Sequence, residues 1–290
     1  MIALTGSTGA LGSRVARLLT EADQELRLLV RDQSRLPAEL RPSAAPIESY
    51  TDAPALRTGL AGCDTLLLVS ARESADRVAE HRTVLDAAVA VGVAKVVYIS
   101  FQGAAPDATF TFARDHWHTE RLIVASGLRY VILRDSFYLS AMAGLAGPDG
   151  VIRGPAADGR VAAVGHDDVA AVTAGVLTSD RWDGATLDVT GPEALTLTEV
   201  AAQLARVSGR PVRYVAETEE QAYASRAHYG APPFEVTGWV SSYQAIANGE
   251  VAQVSDAVEQ VTGRAPQSLA EFLAARPESW AHLVRATPTA

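Results

Sequence analysis

The sequence is poor in cysteine, in lysine and in long apolar runs. Cys63 is the only cysteine, which excludes an intrachain disulfide framework and agrees with a reducing cytoplasm. No apolar run reaches the roughly 20 residues of a membrane-spanning helix. No charged-then-apolar leader precedes the first predicted strand, which starts at residue 2. We therefore expect a soluble, cytoplasmic protein without a membrane partner.

The charge balance narrows the choice of partners. The net charge is -9 at pH 7, and no basic patch interrupts it. Nucleic acids and anionic membranes are repelled by such a field. His116 and His118 are two residues apart and would point to different sides of a helix, so no metal-ligand spacing is present. We expect a small-molecule substrate, no metal and no nucleic acid, and we consider a homodimer as the assembly.

The strongest motif lies in the first dozen residues. A short apolar strand at 2–4 runs through Thr5 into three glycines spaced three residues apart. Gly6 allows a tight turn, Gly9 lets backbone N–H groups approach a pyrophosphate, and Gly12 lets the next helix pack close to the sheet. The N-terminus of that helix then faces the phosphates. This context favours dinucleotide binding over a plain glycine-rich turn. The cofactor-binding residues predicted here are Gly6, Ser7, Thr8, Gly9, Ala10, Leu11 and Gly12.

The first half of the chain alternates strands and helices. Short apolar runs of the kind found in buried parallel strands lie at 26–30, 47–50, 65–69, 96–100 and 130–133. Helices are predicted between most of them, at 76–91 and 112–126 among others. Repeated βα units predict an α/β fold with a Rossmann-type doubly wound parallel sheet. Ligands of such sheets bind beyond the carboxyl ends of the strands.

The pattern changes from about residue 137. A helix follows with Asp167 or Asp168 at its N-cap, and residues 185–190 return as a further strand of the sheet. We predict a dinucleotide-binding domain at 1–136, completed by that returning strand. A smaller C-terminal α/β lobe at 137–290 is interleaved with the last core elements and covers the open end of the cofactor site.

The residues at the end of the second predicted strand indicate whether the chain binds NAD or NADP. A free 2′-hydroxyl is usually held there by a carboxylate, whereas a 2′-phosphate needs cations. This strand ends in Arg31, with Arg35 four residues on, while Asp32 is one place late for the carboxylate role and can pair with an arginine. A charge-assisted hydrogen bond of roughly 1.5 to 3 kcal/mol favours NADP over NAD by about 10- to 150-fold. We predict NADP (NADPH); the alternative is that both arginines belong to a solvated loop.

Several stretches together resemble a known family. Besides the glycine loop, they include Val-Arg-Asp at 30–32, Asp-His-x-x-Thr-Glu at 115–120 and Leu-Arg-x-x-x-Tyr at 133–138. They resemble the NmrA-like atypical short-chain dehydrogenase/reductase family, and within it the bacterial NADPH-dependent quinone oxidoreductases of type 2. The resemblance fades after about residue 214. It implies NADPH in the glycine loop, with Arg31 near the 2′-phosphate and Ser70 near the ribose. The cofactor site assigned after the fourth strand is Val69, Ser70 and Ala71.

The proton donor of the larger dehydrogenase family is missing. Those enzymes use a tyrosine whose pKa is lowered by a lysine four residues later. The only lysine here is Lys95, and four residues before it stands Val91. The corresponding helix pair is Phe112 and His116, with Glu120 one turn further. We predict that His116 is catalytic and either donates a proton or hydrogen-bonds the cofactor or substrate, with Glu120 favouring its charged form; the alternative is a helix histidine without chemistry.

Other candidates follow the ends of strands. Ser100 is predicted to contact the nicotinamide ribose or a substrate oxygen, although serine is also ordinary at a strand end. Phe101, Phe137 and Tyr138 are predicted to form an aromatic slot for the substrate, with plain core packing as the alternative. His81 falls on the inner face of its helix, which predicts a hydrogen-bonded core histidine.

The predicted function is an NADPH-dependent reductase of quinones or similar conjugated carbonyls. A quinone accepts hydride readily, and its reduced oxygens can take protons from water, so a missing tyrosine matters less. The alternative is a redox-sensing regulator of the NmrA type that binds NADP without turnover. A reductase or isomerase of a secondary metabolite is a third interpretation.

Overall fold

A parallel sheet of seven strands forms the centre of the computed structural model, which describes residues 1–284. The eleven strands in this range are β1 (Ile2–Leu4), β2 (Leu26–Val30), β3 (Ala44–Pro46), β4 (Thr65–Leu68), β5 (Lys95–Phe101), β6 (Arg129–Asp135), β7 (Val151–Gly154), β8 (Arg160–Val161), β9 (Thr186–Val189), β10 (Leu195–Thr196) and β11 (Arg213–Ala216). The sheet order is β3-β2-β1-β4-β5-β6-β9, and every pair is parallel. The predicted Rossmann-type doubly wound sheet is therefore confirmed.

Helices cover both faces of this sheet. The α-helices are α1 (Ala10–Glu21), α2 (Ala53–Leu60), α3 (Arg77–Ala90), α4 (Thr111–Ala125), α5 (Leu139–Gly144), α6 (His166–Leu177), α7 (Leu197–Ser208), α8 (Glu219–Arg226), α9 (Pro233–Ala247), α10 (Ala257–Thr262) and α11 (Leu269–Ala275). Single 3-10 turns or short 3-10 helices lie at Gln33–Arg35, Ala38–Ser43, Ala227–Tyr229, Pro277–Ser279 and Ala281–Leu283. No helix within residues 1–284 is long and apolar enough to cross a membrane.

The two cores arise from the alternation of side chains along each strand. Leu28 and Val30 of β2 pack with α1 and α6 on one face, whereas Leu29 between them packs with α2 and α3 on the other. The strands are apolar on both faces because neither face meets water. A third apolar cluster joins the ends of β5 and β6 to α5, α7 and α11.

The third strand differs from the prediction. The prediction of 47–50 is wrong, because β3 is Ala44–Pro46 and pairs with β2 as far as Val30. Ala45 lets the edge strand pack close to Gly59 of α2, and a proline is tolerated at a sheet edge. Residues 47–50 consequently lie beyond the carboxyl edge, where Tyr50 becomes available to the ligand site.

The second half adds a strand and two small sheets. β9 occupies 186–189 and pairs with β6 at the edge, as expected for the returning strand. β7 pairs with β11 and β8 with β10. The division of the chain at residue 136 stays a prediction, and residues 285–290 of the predicted lobe lie outside the described residues.

The predicted cap of α6 is wrong. Gly165 is the N-cap, and no side chain caps the helix. Asp167 instead accepts a hydrogen bond from Arg14 of α1, 2.7 Å away. Asp168 is buried and accepts hydrogen bonds from Arg264 and from the backbone N–H of Gln267. Both carboxylates are committed to tertiary contacts that a local pattern does not reveal.

The single lysine has a structural position at the amino end of β5. Lys95 is 1% exposed, and its Nζ donates to the carbonyls of Val176 and Ser179 at 3.0 and 2.7 Å. It also forms an ion pair with Asp183 at 2.7 Å. Because ligands of this fold bind at the opposite edge of the sheet, Lys95 takes no part in the site.

We predict that Lys95→Met lowers the free energy of unfolding by about 2 kcal/mol or more, because the carbonyls of Val176 and Ser179 lose their buried donor while Asp183 keeps its ion pair with Arg129. Urea denaturation followed by circular dichroism measures this change. Asp180 is 76% exposed and lies 3.8 Å from Nζ, so the control Asp180→Asn should cost less than about 1 kcal/mol. Equal losses in the two variants would contradict the role given to Lys95.

Candidate functional site

The turn between β1 and α1 has the close packing that the glycines require. Gly6 has φ +65°, and a Cβ on it would lie 2.9 Å from the Cβ of Val69. The N–H of Gly9 donates to the carbonyl of Gly6 at 2.9 Å. A Cβ on Gly12 would collide with that same carbonyl. Gly12 therefore allows α1 to pack against its own turn, where we expected contact with the sheet.

The first backbone N–H groups of α1 have no hydrogen-bond partner within residues 1–284. The N-cap is Gly9, no side chain caps the helix, and no acidic residue lies in its first turn. Ala10 is exposed there, whereas Leu11 places its side chain in the core. The Ser7 hydroxyl is buried without a hydrogen-bond partner among the described residues. Free N–H groups at a helix N-terminus fit a bound phosphate.

The end of β4 is fixed to this turn by hydrogen bonds. The N–H of Val69 donates to Thr5 Oγ1 at 2.9 Å, and Thr5 Oγ1 donates to the carbonyl of Leu67 at 3.2 Å. The Tyr50 hydroxyl donates to the carbonyl of Val69 at 3.0 Å. Burial raises the pKa of Tyr50 to about 12, so its hydroxyl remains a donor. Tyr50 is a site residue that the sequence analysis missed by placing it in a strand.

A cavity of about 250 Å³ opens between the ends of β1, β2 and β4. Its apolar side includes Leu29, Val30 and Ile47, and its polar side Arg31, Ser70 and Arg72. Of the other predicted residues, Gly6, Thr8 and Ala71 also line it. The sequence analysis missed Arg72, which lies in the loop after β4.

Two residues after β2 differ from the prediction. Arg35 is exposed in a 3-10 turn and is not among the residues that line the cavity. Within residues 1–284 Asp32 forms no ion pair with an arginine, and its carboxylate accepts hydrogen bonds from the N–H and hydroxyl of Ser34 at 2.9 and 2.6 Å. Of the two arginines predicted to bind the 2′-phosphate, Arg31 lines the cavity and Arg35 does not.

His116 is buried in a polar network beneath the ligand edge. Its Nε2 is 3.0 Å from Nη2 of Arg77, and because a guanidinium can only donate, Nε2 is the acceptor. Nδ1 then carries the proton and donates to the hydroxyl of Tyr98 at 2.9 Å. Burial and the positive charge of Arg77 lower the pKa of His116 well below its ordinary value. A neutral imidazole with both nitrogens paired conflicts with the predicted role of His116 as a proton donor.

Glu120 does not influence His116 as we expected. Its carboxylate accepts two hydrogen bonds from Arg134 of β6, at 2.8 and 2.6 Å. It also accepts the hydroxyl of Ser100 at 2.6 Å. Ser100 is fully buried, so its hydroxyl turns toward α4 and not toward the ligand edge. The expected contact of Ser100 with a cofactor or substrate therefore has no geometric support.

His81 fixes the loop that lines the cavity. The N–H of Ala71 donates to its Nε2 at 2.8 Å, so Nδ1 carries the proton and donates to Thr119 Oγ1 at 2.8 Å. Burial, and secondarily the charge of Arg77, lower the pKa of His81 to about 3. His81 is a hydrogen-bonded core histidine, as expected, and it also positions Ala71 at the edge of the cavity.

The predicted aromatic slot does not form as a unit. Phe101 packs edge-to-face on Phe137 and on Phe110, with ring centroids 5.0 and 5.1 Å apart. Phe101 is 8% exposed and belongs to the third apolar cluster, so it presents no free ring face. Phe137 is half-buried at the rim of that cluster.

Tyr138 makes different contacts from Phe101 and Phe137. Its hydroxyl donates to the buried carboxyl of Asp135, and its ring stacks on His166 at 3.7 Å. Burial raises the pKa of Asp135 to about 7, although the hydrogen bond from Tyr138 and the charge of Arg77 lower it. Burial and the adjacent Asp135 raise the pKa of Tyr138 well above its ordinary value. Tyr138 is thus separated from the two phenylalanines with which we grouped it.

These features define a class of protein. The glycine turn, the uncapped helix N-terminus and the cavity beyond β2 are the parts of a Rossmann-type dinucleotide-binding site. No group of three or more metal-ligating side chains occurs in residues 1–284. The class is a dinucleotide-binding protein without the tyrosine–lysine pair of the larger dehydrogenase family.

Comparison with known proteins agrees with this class. A family model described as NAD(P)H-binding matches residues 6–180. The chain is 31% identical over 277 residues to Quinone oxidoreductase 2 of Escherichia coli, covering 93% of this chain and 96% of that one. It is 32% identical over 276 residues to the NAD(P)H azoreductase of Xenophilus azovorans, covering 94% and 96%. This chain belongs to the NAD(P)H-binding family.

Structural similarity extends over nearly the whole chain. The crystal structure of the NADPH-dependent quinone oxidoreductase from Escherichia coli complexed with NADPH aligns with a TM-score of 0.87 at 30% identity. The alignment covers 95% of this chain and 99% of that one. The NmrA-like resemblance and the prediction of an NAD(P)H-dependent oxidoreductase are confirmed. The alternative of a regulator without turnover is therefore not supported.

The buried histidines predict a loss of stability in mild acid. The folded-state pKa values of His81 and His116 lie below the ordinary 6.5, so only the unfolded chain takes up protons as the pH falls below 6.5. Each histidine then costs up to about 2 kcal/mol by pH 5. Asp135 acts oppositely, because its raised pKa of about 7 stabilises the fold as the pH falls through that value.

The test is the slope of unfolding free energy against pH, measured by urea denaturation between about pH 7 and pH 5. His81→Gln removes one of the groups, so its slope should be shallower than that of the wild type by about one proton. A general loss of stability in this variant does not affect the test, because the slopes of the two proteins are compared and not their absolute free energies of unfolding. Parallel slopes would show that His81 is not held neutral.

Proposed function

We propose that this protein reduces quinones or similar conjugated carbonyls with NADPH. The observation that supports this function most is the absence of a proton donor at the expected positions of α4. Phe112 is buried where the dehydrogenase tyrosine would stand, and the neutral His116 has both nitrogens paired. Simple ketones need a positioned acid, whereas a reduced quinone can take its proton from water. Relatives named quinone oxidoreductase and azoreductase are consistent with such acceptors.

The residues that would hold NADPH surround the glycine turn. When bound, NADPH supplies a hydride. The N–H groups at the start of α1 would hold the pyrophosphate, and Ser70 would bind the ribose. Arg31 and Arg72 line one cavity from two neighbouring loops, so both can bind a 2′-phosphate. Of the residues predicted for the substrate, the half-buried Phe137 and Tyr138 remain in the proposal.

Cofactor preference provides the first test. The wild type should bind NADPH more tightly than NADH by about tenfold or more, and Arg31→Ala should remove most of that preference. Affinity is measured by titration of nicotinamide fluorescence. Arg35→Ala is the matched control and should keep the preference, since Arg35 does not line the cavity. Equal affinities of the wild type for the two cofactors would refute the assignment.

Substrate range provides the second test. Loss of a positioned acid typically slows carbonyl reduction by about 10²- to 10⁴-fold, so aliphatic ketones should react very slowly and small benzoquinones or naphthoquinones should react measurably. NADPH absorbance is followed across both panels. His116→Ala should lose only part of its activity. Gly9→Val, which blocks approach of the pyrophosphate, controls for contaminating reductases. Tight NADPH binding with no quinone turnover would contradict the proposal, and efficient ketone reduction would require another acid, such as Tyr138.

A further inference from the structure

Buried polar atoms without partners gather at the ligand edge of the sheet. Eight such side-chain atoms occur in residues 1–284, and five follow the ends of four adjacent strands. They are Ser7 Oγ after β1, Ser74 Oγ and Arg77 Nε after β4, Gln102 Oε1 after β5 and Ser136 Oγ after β6. Buried polar groups are normally hydrogen-bonded, so this concentration points to a polar ligand at that edge.

Arg77 is the charged member of this set. The residue is 5% exposed, and in the described part of the chain no carboxylate lies within the 4.0 Å of an ion pair. Nη2 donates to His116, while Nε has no partner. A buried cation without a counter-ion is costly, and such charges are usually paired or functional. The charge of Arg77 also acts on Asp115 and Asp135. Burial raises the pKa of each carboxyl group, and Arg77 lowers it.

His116 holds this guanidinium in place. Because the N–H at Nδ1 donates a hydrogen bond to the hydroxyl of Tyr98, the imidazole presents only its Nε2 lone pair toward Arg77. A neutral acceptor orients the cation without neutralising its charge. The positive charge of Arg77 is therefore not neutralised by any described residue, and its Nε has no hydrogen-bond partner among them.

We propose that Arg77 binds the substrate oxygen on which negative charge develops during reduction, and that His116 is a positioning residue for Arg77. This inference rests on the proposed function. The quinone accepts a hydride from NADPH, which amounts to two electrons and one proton. It thereby becomes a hydroquinone monoanion. The cofactor is oxidised to NADP⁺, and the oxyanion then takes one proton from water. Arg77 stabilises the charge before that proton arrives, which is the electrostatic role of an oxyanion-binding cation.

The decisive variant is Arg77→Gln, which removes the charge and retains an amide donor for His116. Quinone turnover should fall by about 100-fold while NADPH affinity is unchanged. The loss should be largest for quinones whose hydroquinones are the weakest acids, because their anions need most stabilisation. Arg82→Gln, an exposed residue of the same helix, is the matched control and should match the wild type. Arg77→Met is a second neutral variant should the glutamine variant fold poorly, as judged by melting temperature.

A spectroscopic readout tests Arg77 without turnover. 4-Nitrophenol is titrated with the NADP⁺-loaded protein, and its ionisation is followed by the phenolate absorbance. The bound phenol should ionise at lower pH in the wild type than in Arg77→Gln, since Arg77 favours the anion. Equal titrations, an equal loss of turnover with every quinone, or a loss confined to NADPH affinity would each overturn the inference. If the wild type reduces no quinone, the proposed function fails, and the phenol titration alone decides the role of Arg77.

Discussion

The close approach of two strand ends is the constraint on which the rest of the site depends. Gly6, at the end of β1, lies directly against Val69, at the end of β4. Thr5 joins the two backbones, and Tyr50 holds the same segment from the side of β2. Because Gly12 packs on the carbonyl of Gly6, the direction of α1 is fixed by this contact as well. One point of contact thereby sets the glycine turn between β1 and α1 and one wall of the cavity.

Two neutral histidines, His81 and His116, also hold the residues around the site in place. His81 on α3 contacts the loop after β4 and bonds to Thr119 on α4, while His116 on α4 bonds back to Arg77 on α3. The two helices are thus linked by reciprocal hydrogen bonds beneath the ligand edge. Burial and the charge of Arg77 keep both imidazoles neutral, so they act as acceptors of defined orientation. The hydrogen bonds that prevent His116 from acting as an acid also fix the guanidinium of Arg77.

Local patterns predicted the fold well, since buried parallel strands and amphipathic helices are encoded by nearby residues. The strands β2 and β9 occupy the predicted positions, and α3 and α4 differ by one residue at their ends. The error at 47–50 has a tertiary cause. The position of β3 depends on its register with β2 and on its packing against Gly59. An apolar run does not contain that information.

The sequence by itself determined the dinucleotide class, because the glycine turn is a local device whose three glycines and following helix are contiguous. It also determined that the tyrosine–lysine acid is missing, since that pair has a fixed spacing of four. Only the tertiary structure decided which polar side chains meet. Ser100 bonds to Glu120, and His116 bonds to Arg77, 39 residues away in sequence. Side-chain partners across different strands and helices follow from packing, and spacing along the chain does not specify them.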